Sequence, residues 1–307
     1  MAGNTAIDGE KAPTEGSQSQ NDSSESLVED SIDVGKPQSD IFFAFGPPQT
    51  YFLRLKEHYL GAFRYAGDQS IAQTLVKLGI RNYYCVAATQ FGDGIVTYEN
   101  HDGVAVAASW EETAKHISIS EAAGIVEARK GYRELHELLK KEGQEAPDKL
   151  HETWFTIGPG GSWCARLSDG VHHHKLPANL AREIAEQNEK GVEPFCVALG
   201  LHGSYVALWS DDTRSWWLQG YEDLAASLNK VNRVAYVSLS LARDDNYFTV
   251  LGNGITNYNV RSTPEGTKQL DAITNDYMLR RAKRDGSTIS FTHKRKRTFQ
   301  CDLQMLR

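Results

Sequence analysis

The feature that most constrains this chain is an internal repeat of about forty residues. Five segments begin with an apolar, β-branched or aromatic run, which is typical of a buried strand. The runs start near residues 41, 82, 154, 194 and 234. The first two starts are 41 residues apart and the last three are 40 apart, but 72 residues separate the second from the third. The chain therefore repeats one supersecondary unit, with an insertion after the second copy.

In each unit, the order of apolar runs and turn residues predicts three short strands and then a short helix. After the first run come a Gly-rich or Pro-rich turn and a second run that opens with a small polar residue and an aromatic, as in Ser162–Leu167. Next comes a tight-turn signal such as Asp169-Gly170, in which glycine supplies the positive φ that a two-residue hairpin needs. A third short run closes the hairpin. Apolar residues four apart, such as Leu180 and Ile184, then predict a helix.

A unit of this size cannot cover both faces of its own sheet, so neighbouring units must cover it. We predict a mixed β/α repeat in which five β-β-β-α units, or six with the C-terminal strands, close into a propeller-like ring. Across residues 41–273 the order and length of the units also resemble the α/β-propeller of the pentein superfamily, since β-β-β-α is a circular permutation of ββαβ. That pentein-like fold is the alternative.

Composition divides the chain into a tail and one repeat domain. Residues 1–40 have no aromatic residue and hold nine acids against two lysines, so we predict a disordered, acidic, Ser-rich tail. Residues 41–307 are expected to form a single repeat domain. It includes a helical insertion at 119–150 and a basic C-terminal hairpin at 280–303.

Charge and cysteine usage indicate an intracellular chain. The net charge is −7 at pH 7, and the four cysteines include no CxxC pair, as expected of buried thiols in a reducing compartment. The N-terminus has no pattern of a secretory signal, and no run of eighteen apolar residues predicts a membrane span. We expect the protein in the cytoplasm, the nucleus or both.

Three consecutive histidines, His172, His173 and His174, are the most conspicuous candidates for metal binding. Only His172 and His174 would share a face of a strand, whereas a zinc site needs three or four converging ligands. The repeat places them on a third strand, at surface or rim positions. We predict no metal site, and no cofactor, since the Gly-rich segment Gly158–Ser162 lacks the lysine of a P-loop.

The pentein resemblance implies a cysteine nucleophile assisted by histidine and acidic residues. Cys301 lies near the C-terminus, where such a nucleophile would sit, and His293 is close in sequence. No glycine-rich approach precedes Cys301, and an alternating strand would place it beside buried residues. We predict no catalytic residue; whether the protein is an enzyme stays open, with a non-enzyme favoured.

Nine basic residues against three acids mark residues 274–307. Two basic clusters separated by twelve residues have the form of a bipartite nuclear-localisation signal. Such clusters can equally contact nucleic acid or anionic lipid, or lie on a solvated turn. The candidate residues are Arg280, Arg281, Lys294, Arg295, Lys296 and Arg297.

Aromatic residues that recur in phase through the units are candidates for a binding face, although recurrence is also typical of core packing. They are Trp163, Tyr205, Trp216, Trp217 and Tyr247.

Our leading functional hypothesis is a non-enzymatic, propeller-like interaction or scaffold protein that presents a surface to another protein. Contact with nucleic acid through the basic segment is left open. The alternative is an enzyme or small-ligand binder with its site at the central axis of the ring.

Overall fold

The computed structural model describes residues 41–55, 64–66, 73, 75–111, 119–284, 288–293 and 299–304. Seventeen strands lie in these ranges: β1 Ile41–Phe45, β2 Tyr51–Leu55, β3 Arg64–Ala66, β4 Ile80–Ala88, β5 Gly94–Asn100, β6 Ala105–Trp110, β7 Trp154–Ile157, β8 Trp163–Leu167, β9 Gly170–His174, β10 Pro194–Leu199, β11 Tyr205–Trp209, β12 Arg214–Trp217, β13 Val234–Leu239, β14 Tyr247–Leu251, β15 Thr256–Asn259, β16 Thr288–His293 and β17 Phe299–Gln304. The α-helices are α1 Ile119–Glu145, α2 Ala178–Glu189, α3 Glu222–Leu228 and α4 Pro264–Arg284, and short 3₁₀ helices span Pro147–Glu152, Pro159–Gly161 and Leu201–Gly203.

The strands form small antiparallel sheets in simple chain order. Sheet 1 contains β1–β3, sheet 2 contains β4–β6, sheet 3 contains β7–β9, sheet 4 contains β10–β12 and sheet 5 contains β13–β15. β16 and β17 pair as a separate two-stranded hairpin. Each three-stranded sheet is a meander, and its middle strand pairs with both neighbours.

The predicted closure into a propeller-like ring is wrong, and so is the pentein-like alternative. Among the residues described, the sheets have two or three strands each, and none is closed or curled. Among the described strands, the hydrogen-bonded ladders stop at the third strand of every unit, and strands of neighbouring sheets are not paired with one another. The ladders are all antiparallel, whereas a ββαβ module would need a further strand brought back by its helix.

The turn between the first and second strands has the same construction in sheets 1, 3 and 4. In Gly46–Thr50, Gly158–Ser162 and Gly200–Ser204, the glycine N–H donates to the carbonyl of the final Thr or Ser, at 3.2, 2.7 and 2.8 Å. The residue before that Thr or Ser has a positive φ: 69° at Gln49, 83° at Gly161 and 73° at Gly203. Glycine adopts this conformation without the steric cost that a side chain adds. The backbone of this repeated turn therefore explains Gly161 and Gly203, while Gln49 adopts the same conformation in sheet 1.

Apolar side chains fill the space between neighbouring sheets. Five buried clusters lie between sheets 1 and 2, 2 and 3, 3 and 4, 4 and 5, and 5 and 1. Between sheets 5 and 1, the rings of Phe43 and Phe248 stack at 4.3 Å with an interplanar angle of 5°. Tyr236 of β13 donates a hydrogen bond to the carbonyl oxygen of Phe43. The first and last three-stranded sheets are thus joined by packing and by a side-chain hydrogen bond.

Helix α1, in the insertion after sheet 2, lies against sheets 2 and 3. Arg129 forms a two-pronged ion pair with the buried carboxylate of Asp93, at 2.9 and 2.8 Å. Tyr132 donates to the carbonyl oxygen of Gly158 at 2.8 Å. Gly131 allows close approach to the turn, because a Cβ there would lie 2.2 Å from the carbonyl oxygen of Gly161. The insertion therefore packs against the units on both sides of it in sequence.

Several predictions concern residues outside the described ranges. The tail at 1–40 and the basic cluster Lys294–Arg297 both lie outside them. No helix that the structure describes is long and apolar enough to cross a membrane.

Replacing Phe248 by alanine tests the packing between sheets 5 and 1. Phe248 is fully buried and stacks on Phe43 and Tyr258, so Phe248→Ala leaves a cavity between the sheets. The expected loss in the free energy of unfolding is about 3–5 kcal/mol, measured by denaturant titration. The matched control is Phe91→Ala, since Phe91 is 38% exposed; it should change stability by less than about 0.5 kcal/mol. Equal effects of the two substitutions would contradict this packing.

Candidate functional site

The candidate site is a cavity of about 180 Å³ lined by the first strand of every three-stranded sheet. β1 contacts β4 and β13, while β7 contacts β4 and β10, and β10 contacts β13. The lining includes small residues from four of these strands, Ala44, Ala88, Ala198, Ala235 and Ser238. Protein interiors are otherwise close-packed. The space is therefore left by short side chains where five strands converge.

One end of the cavity reaches solvent beside His151 and Glu152. Both residues line the cavity, and their side chains are 54% and 60% exposed. His151 Nε2 lies 3.7 Å from Glu152 Oε1, and its ring meets the ring of Tyr84 edge-on at 6.2 Å. These residues follow the α1 insertion, at the end of the Pro147–Glu152 helix. The segment just after the insertion thus supplies the mouth of the cavity.

Arg54 places a guanidinium group at the cavity wall. It comes from β2, opposite Phe42 in the β1–β2 ladder, and it is only partly accessible. Its Nε is buried with no hydrogen-bond partner, and no carboxylate of the described residues forms an ion pair with it. Burial lowers the pKa of Arg54 from its ordinary value. Arginine nevertheless stays protonated in proteins, so the cavity wall carries a positive charge.

The repeat supplies a direct comparison for Arg54. Arg166 occupies the corresponding position in sheet 3, next to last in the second strand. The Arg166 guanidinium reaches Glu193 at 3.1 Å, and Arg166 does not line the cavity. Leu208 and Val250 hold this position in sheets 4 and 5 and are buried in the core. The strand thus accepts an apolar residue here, and the fold does not require an arginine.

Two cysteine thiols also line the cavity. The Cys85 Sγ donates to the carbonyl oxygen of Phe155 at 3.5 Å, and the Cys196 Sγ donates to that of Val237 at 3.6 Å. Burial raises the pKa of Cys85 to about 12 and that of Cys196 to about 11. Among the described contacts, neither sulfur is hydrogen-bonded to His151. Both groups are therefore protonated at neutral pH, which is the unreactive form.

Tyr236 is another polar residue of the lining. Its hydroxyl is committed to the Phe43 carbonyl oxygen, and burial raises its pKa well above the ordinary value. Tyr236 is consequently a neutral donor with its proton already in use.

The aromatic residues predicted as a binding face are distributed between core and surface. Trp163, Tyr205 and Tyr247 are at most 4% exposed. Trp216 is partly buried, with the Arg214 guanidinium 5.7 Å from the centroid of its ring. Trp217 is 57% exposed, so of the five it offers the most surface to a partner. Their predicted binding role stays a prediction, and none of them lines the cavity.

The three histidines lie on β9, apart from the cavity. His172 contacts Asp169 at 2.7 Å, and His174 contacts Glu134 of α1 at 3.4 Å. His173 is exposed. In the part of the chain that the structure describes, no group of three or more His, Cys, Asp or Glu side chains could hold a metal ion.

The C-terminal candidates lie on different elements. Cys301 pairs through its backbone with Phe291 in the β16–β17 ladder, and His293 ends β16. Arg280 and Arg281 belong to helix α4 rather than to a hairpin. Arg280 pairs with Asp276 at 2.8 Å, and Arg281 contacts the Tyr277 hydroxyl at 3.3 Å. The first half of the proposed localisation signal is therefore helical and makes contacts of its own.

With this geometry in place, we compared the chain with known protein families, curated proteins and solved structures, and none matches.

Sequence reasoning missed Arg54, Tyr236 and the mouth at His151 and Glu152. One signal was available: Arg54 is the only charged residue in the run Tyr51–Leu55, whose other members are all apolar or aromatic. A charge in a strand that is otherwise buried is an informative feature of a sequence, although Arg166 shows the same pattern and pairs with Glu193.

Thiol labelling tests the protonation of the cavity cysteines. At pH 8 a thiol with a pKa of about 11 is ionised in about one molecule in a thousand. In a Cys301→Ser background, which leaves Cys85, Cys164 and Cys196, all buried, Ellman's reagent should modify less than about a tenth of the thiols. The reaction time is the time in which the reagent labels all three thiols of the same variant unfolded in guanidinium chloride.

A positive control is Val126→Cys in the same background, since Val126 is 68% exposed. The introduced thiol should react completely in the native protein. Rapid labelling of Cys85 or Cys196 would overturn their assignment as inert.

Proposed function

We propose that this protein is a non-enzymatic receptor for a small organic molecule that occupies the cavity. The observation that carries this proposal is the cavity itself, about 180 Å³ between five strands of five different sheets. Binding sites for small molecules are typically concave, mostly apolar and fitted with a few polar groups. The lining has that composition, with alanine, valine and leucine side chains beside Arg54 and Tyr236.

Size limits the ligand to a small molecule. An apolar cavity of about 150 Å³ in another protein holds benzene. A space of about 180 Å³ therefore suits a compound of about six to ten non-hydrogen atoms. The exposed pair His151 and Glu152 marks the end through which such a compound would enter.

Binding accounts for the lining better than thiol chemistry does. A cysteine nucleophile needs a depressed pKa and a base within hydrogen-bond reach. The thiols of Cys85 and Cys196 have raised pKa values and donate to backbone carbonyls instead.

The partner surface expected from the sequence stays a prediction. The large hydrophobic side chains that are exposed among the described residues lie on different strands, helices and turns, with no two on the same element. They are Val76, Phe91, Val104, Val126, Trp217 and Leu279.

Filling the cavity tests the proposed function. Ala235→Leu adds three carbons to a partly accessible residue of β13 that lines the space. Each buried methylene contributes about 0.8 kcal/mol, so losing room for two ligand carbons should weaken binding by about tenfold or more. The probe is benzyl alcohol, neutral and of the right size, followed by ligand-observed NMR and calorimetry.

The control is Ala105→Leu, the same change on β6 and outside the cavity, which should leave benzyl alcohol binding unchanged. If the unmodified protein bound neither benzyl alcohol nor its carboxylate counterpart benzoate, the proposal would be refuted. Equal binding of benzyl alcohol by the two variants would also refute it.

A further inference from the structure

We propose that the cavity selects small carboxylates, with the carboxylate group paired to the Arg54 guanidinium and an apolar body against the strand walls. This inference rests on the proposed function and adds the chemical class of the ligand.

The first argument is the missing counter-charge of Arg54. Removing a cation from water is costly unless it is paired and hydrogen-bonded. No carboxylate among the described residues pairs with Arg54, and its buried Nε has no hydrogen-bond partner. A guanidinium presents parallel N–H donors that match the two oxygens of a carboxylate. A bound carboxylate would supply both the missing charge and the missing acceptors.

The second argument comes from the corresponding positions in the repeat. Arg166 has its carboxylate within the fold, since Glu193 lies 3.1 Å away. Leu208 and Val250 show that the second strands of sheets 4 and 5 form with a buried apolar side chain at this position. An arginine at this position, with no carboxylate partner among the described residues, is therefore explained by a partner from outside the chain.

The third argument is the charge of the whole lining. Tyr84, Cys85, Cys196 and Tyr236 are neutral at pH 7, and burial raises the pKa of each of them. Glu152 faces His151 at the exposed mouth, 3.7 Å away. Arg54 is thus the lining residue that is always cationic. One interior positive charge in a mostly apolar space matches a monoanion, whereas a phosphate dianion would find too few donors.

The test compares benzoate with benzyl alcohol, which have nearly the same body and differ in the carboxylate. Calorimetry is performed on the full-length protein and on Arg54→Met. The unmodified protein should bind benzoate at least about tenfold more tightly than benzyl alcohol, as expected for hydrogen bonds to charged groups. Arg54→Met should lose that preference and keep its affinity for benzyl alcohol. Arg166→Met, the matched loss of a guanidinium outside the cavity, should preserve the preference for benzoate over benzyl alcohol.

The outcomes separate this inference from the proposed function. If benzyl alcohol binds and benzoate binds no better, or if Arg54→Met leaves the preference intact, the carboxylate assignment is wrong while the receptor stands. Tighter binding of inorganic phosphate than of benzoate also overturns the assignment. If neither aromatic probe binds, the proposed function itself fails. Should Arg54→Met not fold, Arg54→Lys takes its place. That variant keeps the charge without the planar fork, so unchanged benzoate affinity would refute bidentate pairing.

Discussion

Burial of both faces of every small sheet is the constraint on which this fold depends. In β2, Tyr51 and Leu53 point into the cluster shared with sheet 5, while Phe52 between them points into the cluster shared with sheet 2. Strand side chains alternate between faces, so an apolar run of this kind places apolar side chains on both faces of the sheet. A three-stranded sheet with two such faces needs a neighbour on each side. Sheets 1 and 5, distant in sequence, meet this need for each other through the stack of Phe43 on Phe248.

The cavity follows from the same constraint. The first strand of each three-stranded sheet lies against the first strands of two other sheets. The space left among these strands depends on the side chains that point into it. Alanine and serine on these strands leave it open. A guanidinium beside such a space, away from any carboxylate of the described residues, costs folding free energy that the neighbouring apolar contacts have to offset.

The sequence could predict the local elements because local chemistry determines them. The Asp169-Gly170 pair lies at the turn between β8 and β9, and Asn253-Gly254 lies between β14 and β15. The association of the sheets could not be predicted in this way. Periodicity shows that a strand is apolar on both faces, but it does not show which sheet covers each face or whether the edges join. The propeller-like closure was wrong for this reason.

The candidate site was less predictable than the strands that build it. Arg54 and Arg166 stand in nearly identical surroundings in the sequence, each followed by leucine and then by a polar or charged residue. Of these two arginines, only Arg166 meets a carboxylate among the described residues, because Glu193 lies just before β10 and sheet 4 brings it there. The pairing of a charge therefore depends on the neighbouring sheet, which a strand's own residues do not encode.

The position of the cavity also connects the proposed ligand binding with the contact of sheets 1 and 5, which are distant in sequence. Its walls include β1 and β13, which Tyr236 and Phe43 link by a hydrogen bond at the contact of sheets 5 and 1. A ligand that binds only the folded state stabilises it by an amount that grows with the logarithm of the ligand concentration relative to its dissociation constant. β1 and β13 belong to sheets that meet only in the folded chain. A molecule bound between these strands would therefore stabilise the contact of sheets 1 and 5. The proposed site and the contact between sheets 1 and 5 thus share strands β1 and β13.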